Sequence, residues 1–113
     1  MQVYNRDNLL ADIEFDPGSK KITAYRTYTD DILKLPFGSC TAPDYSWVEA
    51  FLEERCVPRA RYNIKELLNM WGLDKYDPLA IVKITHGLML SDYYWVRFDR
   101  EDITYDQIKV RAD

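Results

Sequence analysis

The chain has 113 residues, 47% of them hydrophobic, 14% aromatic and 30% charged. That is the composition of one globular domain, 1–113, which buries about two-thirds of its unfolded surface and needs no metal or disulfide staple. A formal net charge of −4 argues against a protein held on nucleic acid by general electrostatics, and apolar runs of only a few residues are too short for a membrane span. Cys40 and Cys56 stand outside any CxxC spacing and read as two free thiols of a reducing compartment. Residues 1–10 include Arg6 and Asp7 and hold no apolar secretory run, so the expected location is the cytoplasm.

From residue 9 the pattern has period two. Leu9, Ala11, Ile13 and Phe15 fall on one face, and Leu10, Asp12, Glu14 and Asp16 on the other. This predicts a half-buried strand with an acidic outer face. Asp16-Pro17-Gly18-Ser19 is turn chemistry, and the β-branched and aromatic stretch 21–28 completes a hairpin. Ile32, Leu33, Leu35 and Phe37, with Pro36 and Gly38, predict an edge strand or an extended lead into a loop over 38–44.

The pattern then turns helical. Ser46 and Glu49 have capping-box spacing, and Trp47, Val48, Phe51 and Leu52 share a face of a helix that stops before Pro58. A second helix starts at Asn63, with Ile64, Leu67, Leu68 and Trp71 at helical spacing and Gly72 beyond its end. A third opens on Asp77-Pro78, an N-cap followed by proline at the first helical position, and closes near Gly87. Trp47, Trp71 and Trp95 fall on apolar stripes and are expected in the core. The aromatic run Tyr93, Tyr94, Trp95, Val96 and Phe98 predicts a short strand leading into a charged turn, and Thr104 with Gln107 opens a short last helix. Strands first and helices after give an α+β class: an N-terminal antiparallel hairpin or small sheet, three short helices, and a C-terminal strand and short helix.

No catalytic constellation emerges. His86 is the only histidine, in Thr85-His86-Gly87 at a helix C-terminus, where a charged ring would suit the helix dipole. Its functional alternative is a general base paired with Cys40 or Cys56. The acids Asp99, Glu101, Asp102 and Asp106 lack the spacing of a calcium loop and read as a solvated turn. Gly18, Gly38, Gly72 and Gly87 form neither the dinucleotide fingerprint nor the P-loop, so no nucleotide cofactor is expected. No metal site is expected either, since one histidine and two scattered cysteines do not supply a ligand set.

One local charge excess stands out in this acidic chain: Arg55, Arg59, Arg61 and Lys65, with no acid between Cys56 and Asn63. The functional reading is a contact for a phosphate, a nucleic-acid backbone or an acidic partner at a helix start. The structural reading pairs these cations with Glu49, Glu53, Glu54 and Glu66. Tyr93 and Tyr94 would face opposite ways in a strand, which leaves one exposed as a candidate contact residue.

Several segments carry a resemblance: Phe51-Leu52-Glu53-Glu54-Arg55, Val57-Pro58-Arg59-Ala60-Arg61, Glu66-Leu67-Leu68, Gly72-Leu73, Tyr76-Asp77-Pro78 and Asp92-Tyr93-Tyr94-Trp95-Val96. Together they cover about half the chain. They resemble short uncharacterised proteins of Firmicutes prophages and conjugative elements, and more loosely the segment preceding the kinase part of HipA-like proteins. The kinase catalytic elements have no counterpart. The resemblance implies a mobile-element or phage context and a non-enzymatic, protein-binding regulatory role, one form of which is a counter-defence inhibitor of the anti-CRISPR type. An accessory subunit of a HipA-like kinase toxin–antitoxin system is the second expectation, and a small enzyme using Cys/His or carboxylate chemistry the third. Partner-binding falls to Arg55, Arg59, Arg61, Lys65, Tyr93 and Tyr94, and the oligomeric state stays open.

Overall fold

The computed structural model describes residues 1–89, 92–98 and 101–112, the last four of them in backbone only. A four-stranded antiparallel sheet has the order β3-β2-β1-β4. Its strands are β1 (Gln2–Asn5), β2 (Asn8–Asp16), β3 (Lys21–Thr27) and β4 (Tyr94–Arg97). Helices α1 (Tyr45–Glu54), α2 (Ile64–Met70) and α3 (Pro78–Thr85) lie between β3 and β4, and α4 (Tyr105–Ala112) follows. The expected α+β order holds.

The β2–β3 hairpin forms where the turn chemistry places it. The Asp16 carboxylate accepts from the Gly18 amide and the Ser19 hydroxyl, at 2.9 Å each, so the side chain closes the turn that the backbone starts. Strand β1 was not foreseen. It joins β2 through the two-residue turn Arg6-Asp7, with Arg6 at φ 53, and pairs on its other side with β4, Val3 opposite Val96.

Ala11 and Ile13 of β2, Val3 of β1 and Val96 of β4 meet Val48, Phe51 and Leu52 of α1 and Ile81 and Val82 of α3 in one buried cluster. Helices α1 and α3 pack against each other. Burial of this apolar set is the main stabilising term. The opposite sheet face corrects the sequence reading. Leu10 and Trp95 alternate away from Ala11 and Val96, yet both are buried, as is Ile108 of α4, and all three lie outside the main cluster. The Trp95 indole stacks on Tyr4 at 4.6 Å and donates to the Arg6 carbonyl at 2.6 Å. Only Glu14 and Asp16 of the expected acidic face are fully exposed.

Three further expectations are corrected. Residues 32–37 are not a strand: Ile32–Lys34 is a 3-10 turn capped by Asp31, whose carboxylate accepts from the Leu33 amide, and Phe37 alone of that stretch is fully buried. Helix α1 starts two residues earlier than the Ser46 cap requires. Asp44 is the N-cap, accepting from the Ser46 amide and hydroxyl, so Ser46 lies inside the first turn and donates to the cap instead of forming it. Trp47 turns outward and is 44% exposed, its ring in a T-shaped contact with Phe37 at 6.1 Å. Trp71 is half-buried against the core and Trp95 is fully buried.

Helix α3 matches its sequence signal. Asp77 caps the Ala80 amide, Pro78 is the first helical residue, and the helix stops at His86 with φ 60. Helix α2 starts at the expected Asn63, but that side chain makes no cap hydrogen bond, and its Oδ1 is buried without a partner. Gly72, at φ 75, terminates the helix in the left-handed conformation expected there.

Candidate functional site

The six candidate contact residues separate into local groups. Arg55, the C-cap of α1, points inward. Its side chain is 9% exposed, and its guanidinium donates to both Asp92 carboxylate oxygens at 2.8 and 2.9 Å, to the Gly87 carbonyl at 2.8 Å and to the Tyr94 carbonyl at 2.9 Å. The Tyr94 ring stands beside the same guanidinium. A planar fork that meets one carboxylate and two carbonyls is a use to which arginine is suited and lysine is not. Arg55 holds the Asp92 carboxyl below its ordinary range, the cause outweighing the opposing effect of burial. Gly87 lies so close that an added Cβ would meet the Arg55 Cβ at 3.1 Å, and its φ of 67 also favours glycine. Arg55, Gly87, Asp92 and Tyr94 thus form a strut from α1 to the start of β4.

Arg59 sits on the surface. It pairs with Glu53 at 2.7 Å and lies over the Tyr76 ring at 4.3 Å, which realises part of the pairing read from the sequence. Tyr93 is half exposed, with the Arg6 guanidinium 4.0 Å above its ring. Of the adjacent pair, Tyr93 is the outward tyrosine.

Arg61 and Lys65 are exposed and, among the described residues, have no ion-pair partner. Between them stands Tyr62, 95% exposed, which the charge-based reading missed. Two successive turns present it: the Arg61 amide donates to the Pro58 carbonyl and the Ile64 amide to the Arg61 carbonyl, each at 3.1 Å. The available signal was a tyrosine inside an acid-free basic stretch, off the apolar stripe of α2.

His86 is 4% exposed, and its Nε2 lies 2.8 Å from Glu101 Oε2, while Glu101 Oε1 accepts from the Phe98 amide. The histidine thus closes the α3 terminus onto the segment after β4. Of the other residues of the charged turn, Asp102 is exposed, and Asp99 and Arg100 lie outside the described residues. Both cysteines are free thiols, as expected. Cys56 is buried and donates toward the Pro78 carbonyl at 3.5 Å; burial pushes its thiol pKa up to about 11, far from a nucleophile's range. Beside it the Tyr76 hydroxyl donates to the Val57 carbonyl at 2.6 Å, and burial raises that phenol too.

Among the described residues no group of three or more His, Cys, Asp or Glu side chains is placed to hold a metal, and no helix is long and apolar enough to cross a membrane. A scan against protein-family models finds no match to the chain, and neither do the searches of curated proteins and of solved structures. The mobile-element resemblance therefore stands on its quoted motifs alone.

Proposed function

We propose that the chain is a non-enzymatic protein-binding regulator of a bacterial mobile element or phage, of the counter-defence inhibitor type, and that it grips an acidic protein surface with Arg61, Tyr62 and Lys65. The observation that carries this reading is Tyr62: a side chain left 95% in solvent, on a hydrogen-bonded turn, between two cations that have no ion-pair partner among the described residues. Tyrosine and arginine dominate the binding energy of protein interfaces, because a stiff aromatic loses little entropy on docking and a guanidinium matches carboxylates. The resemblance of the segments around it to mobile-element proteins supports the biological setting.

The test is affinity capture from the native host with the tagged chain, repeated with Tyr62→Ala and Arg61→Glu. The reading expects one protein retained by the parent and lost by both variants, with the circular dichroism of all three chains alike. Retention by both folded variants overturns the assignment of the segment.

A further inference from the structure

A second exposed apolar feature lies elsewhere on the chain and carries the opposite charge. Leu33 is 89% exposed, Tyr28 52% and Ile32 51%. They are not loose loop residues. The Asp31 carboxylate accepts from the Leu33 amide at 3.1 Å, the Asp31 amide donates to Thr29 Oγ1 at 3.2 Å, and the Lys34 amide donates to the Asp31 carbonyl at 3.0 Å. A capped turn thus holds two aliphatic side chains in water, which is unfavourable unless something covers them. On one side of this ridge a hollow of about 490 Å³ is bordered by Asp7, Asn8, Leu9, Tyr28, Thr29 and Lys34. On the other a hollow of about 300 Å³ is bordered by Thr29, Asp30 and Ile32 among others. Asp7 and Asp30 have no ion-pair partner among the described residues, and with Asp31 they outnumber Lys34, the one cation among the residues bordering the two hollows.

We propose that this ridge is the docking face for the 59–65 segment of a second copy of the chain. The fit is one of charge and shape. The segment offers an exposed ring, Tyr62, between Arg61 and Lys65, which have no ion-pair partner among the described residues; the ridge offers Asp7 on the hollow bordered by Leu9 and Tyr28, and Asp30 on the hollow bordered by Ile32. Like charges would repel if ridge met ridge or segment met segment, so the contact joins unlike patches, ridge of one copy to segment of the next. The inference rests on the reading of segment 59–65 as a contact surface. It adds a regulation: self-association occupies the segment that takes the partner, so the two compete.

Sedimentation velocity over a wide concentration series tests it on the full chain, with Leu33→Ser and Tyr62→Ala as variants at exposed positions and thermal melting as the fold control. The parent is expected to self-associate reversibly, and each variant alone to associate about tenfold more weakly or not at all, the effect of losing a central contact residue. Mixed, the two variants are expected to form a 1:1 dimer that grows no further, since each keeps the half that the other lacks. A parent that stays monomeric throughout overturns the proposal, as does undiminished association of either variant, or a mixture that remains two monomers. If the chain is monomeric while Tyr62→Ala still loses its captured partner, only this inference falls. If self-association behaves as expected while partner capture ignores Tyr62, only the proposed function falls.

Discussion

Arg55 and Asp92 are thirty-seven positions apart, yet they meet in a two-point ion pair at 2.8 and 2.9 Å that ties the end of α1 to the lead-in of β4. The same guanidinium satisfies the carbonyls of Gly87 and Tyr94. Removing it leaves the half-buried carboxylate with the Tyr94 amide, which donates to Asp92 Oδ1 at 3.1 Å, and takes the guanidinium away from two carbonyls. Arg55→Ala is therefore expected to lower stability by about 2–3 kcal/mol, below the cost of breaking a fully buried pair because Asp92 keeps a third of its surface in water. Arg55→Lys should recover only part, because an ammonium does not reproduce the fork. Denaturant unfolding of the three chains measures this, and a loss under about 1 kcal/mol for the alanine variant would show the strut to be dispensable.

The same pair sets an acid limit. Arg55 lowers the Asp92 carboxyl below its ordinary 3.8. A carboxyl depressed on folding contributes its stability in full above the unfolded value and loses it as pH falls through the folded one. Stability should therefore decline as pH drops below about 4, and Asp92→Asn should show a shallower decline over that window. Equal acid slopes for parent and variant would contradict this.

The tryptophans separate sharply. Trp95 is 1% exposed and stacked on Tyr4, so Trp95→Ala should cost about 3–5 kcal/mol. Trp47 is 44% exposed, and Trp47→Ala should cost about 1 kcal/mol or less. Melting temperatures of the two variants decide it, and the reverse ranking would move the core to the outer face of α1.

Which residue caps α1 is equally open to test. Asp44→Ala should cost about 1 kcal/mol, as loss of an N-cap does. Ser46→Ala should cost distinctly less, because its amide stays bonded to Asp44. A larger effect at Ser46 would restore the capping box that its spacing with Glu49 suggests.

These cases show what a one-dimensional pattern conveys. The Asp77-Pro78 start of α3 and the turn at Asp16 were legible because each is completed within three residues by its own side chain. Strand β1 was not, since four residues carry little periodicity and one of its partners lies more than ninety positions away. The outer face of β2 was misread for the same reason: Leu10 among acids looks like an exception until β4 sets Trp95 on that face and Ile108 proves buried beyond the main cluster. At the candidate site, charge excess pointed to the right stretch. Charge alone did not separate Arg55, drawn inward by Asp92, from Arg61, which has no ion-pair partner among the described residues. Nor did it reveal Tyr62 or the Ile32–Leu33 turn, whose exposure is a property of backbone geometry.

The most direct test of the central claim is the association rate of the captured partner, measured against salt for the parent and for Arg61→Glu, a variant that leaves the Arg59–Glu53 pair in place. Charges at an interface rim act through encounter, and salt screens them. The account predicts a slower association for Arg61→Glu at low salt, converging on the parent as salt rises, with circular dichroism unchanged. A folded Arg61→Glu chain that binds as fast as the parent at low salt would contradict it.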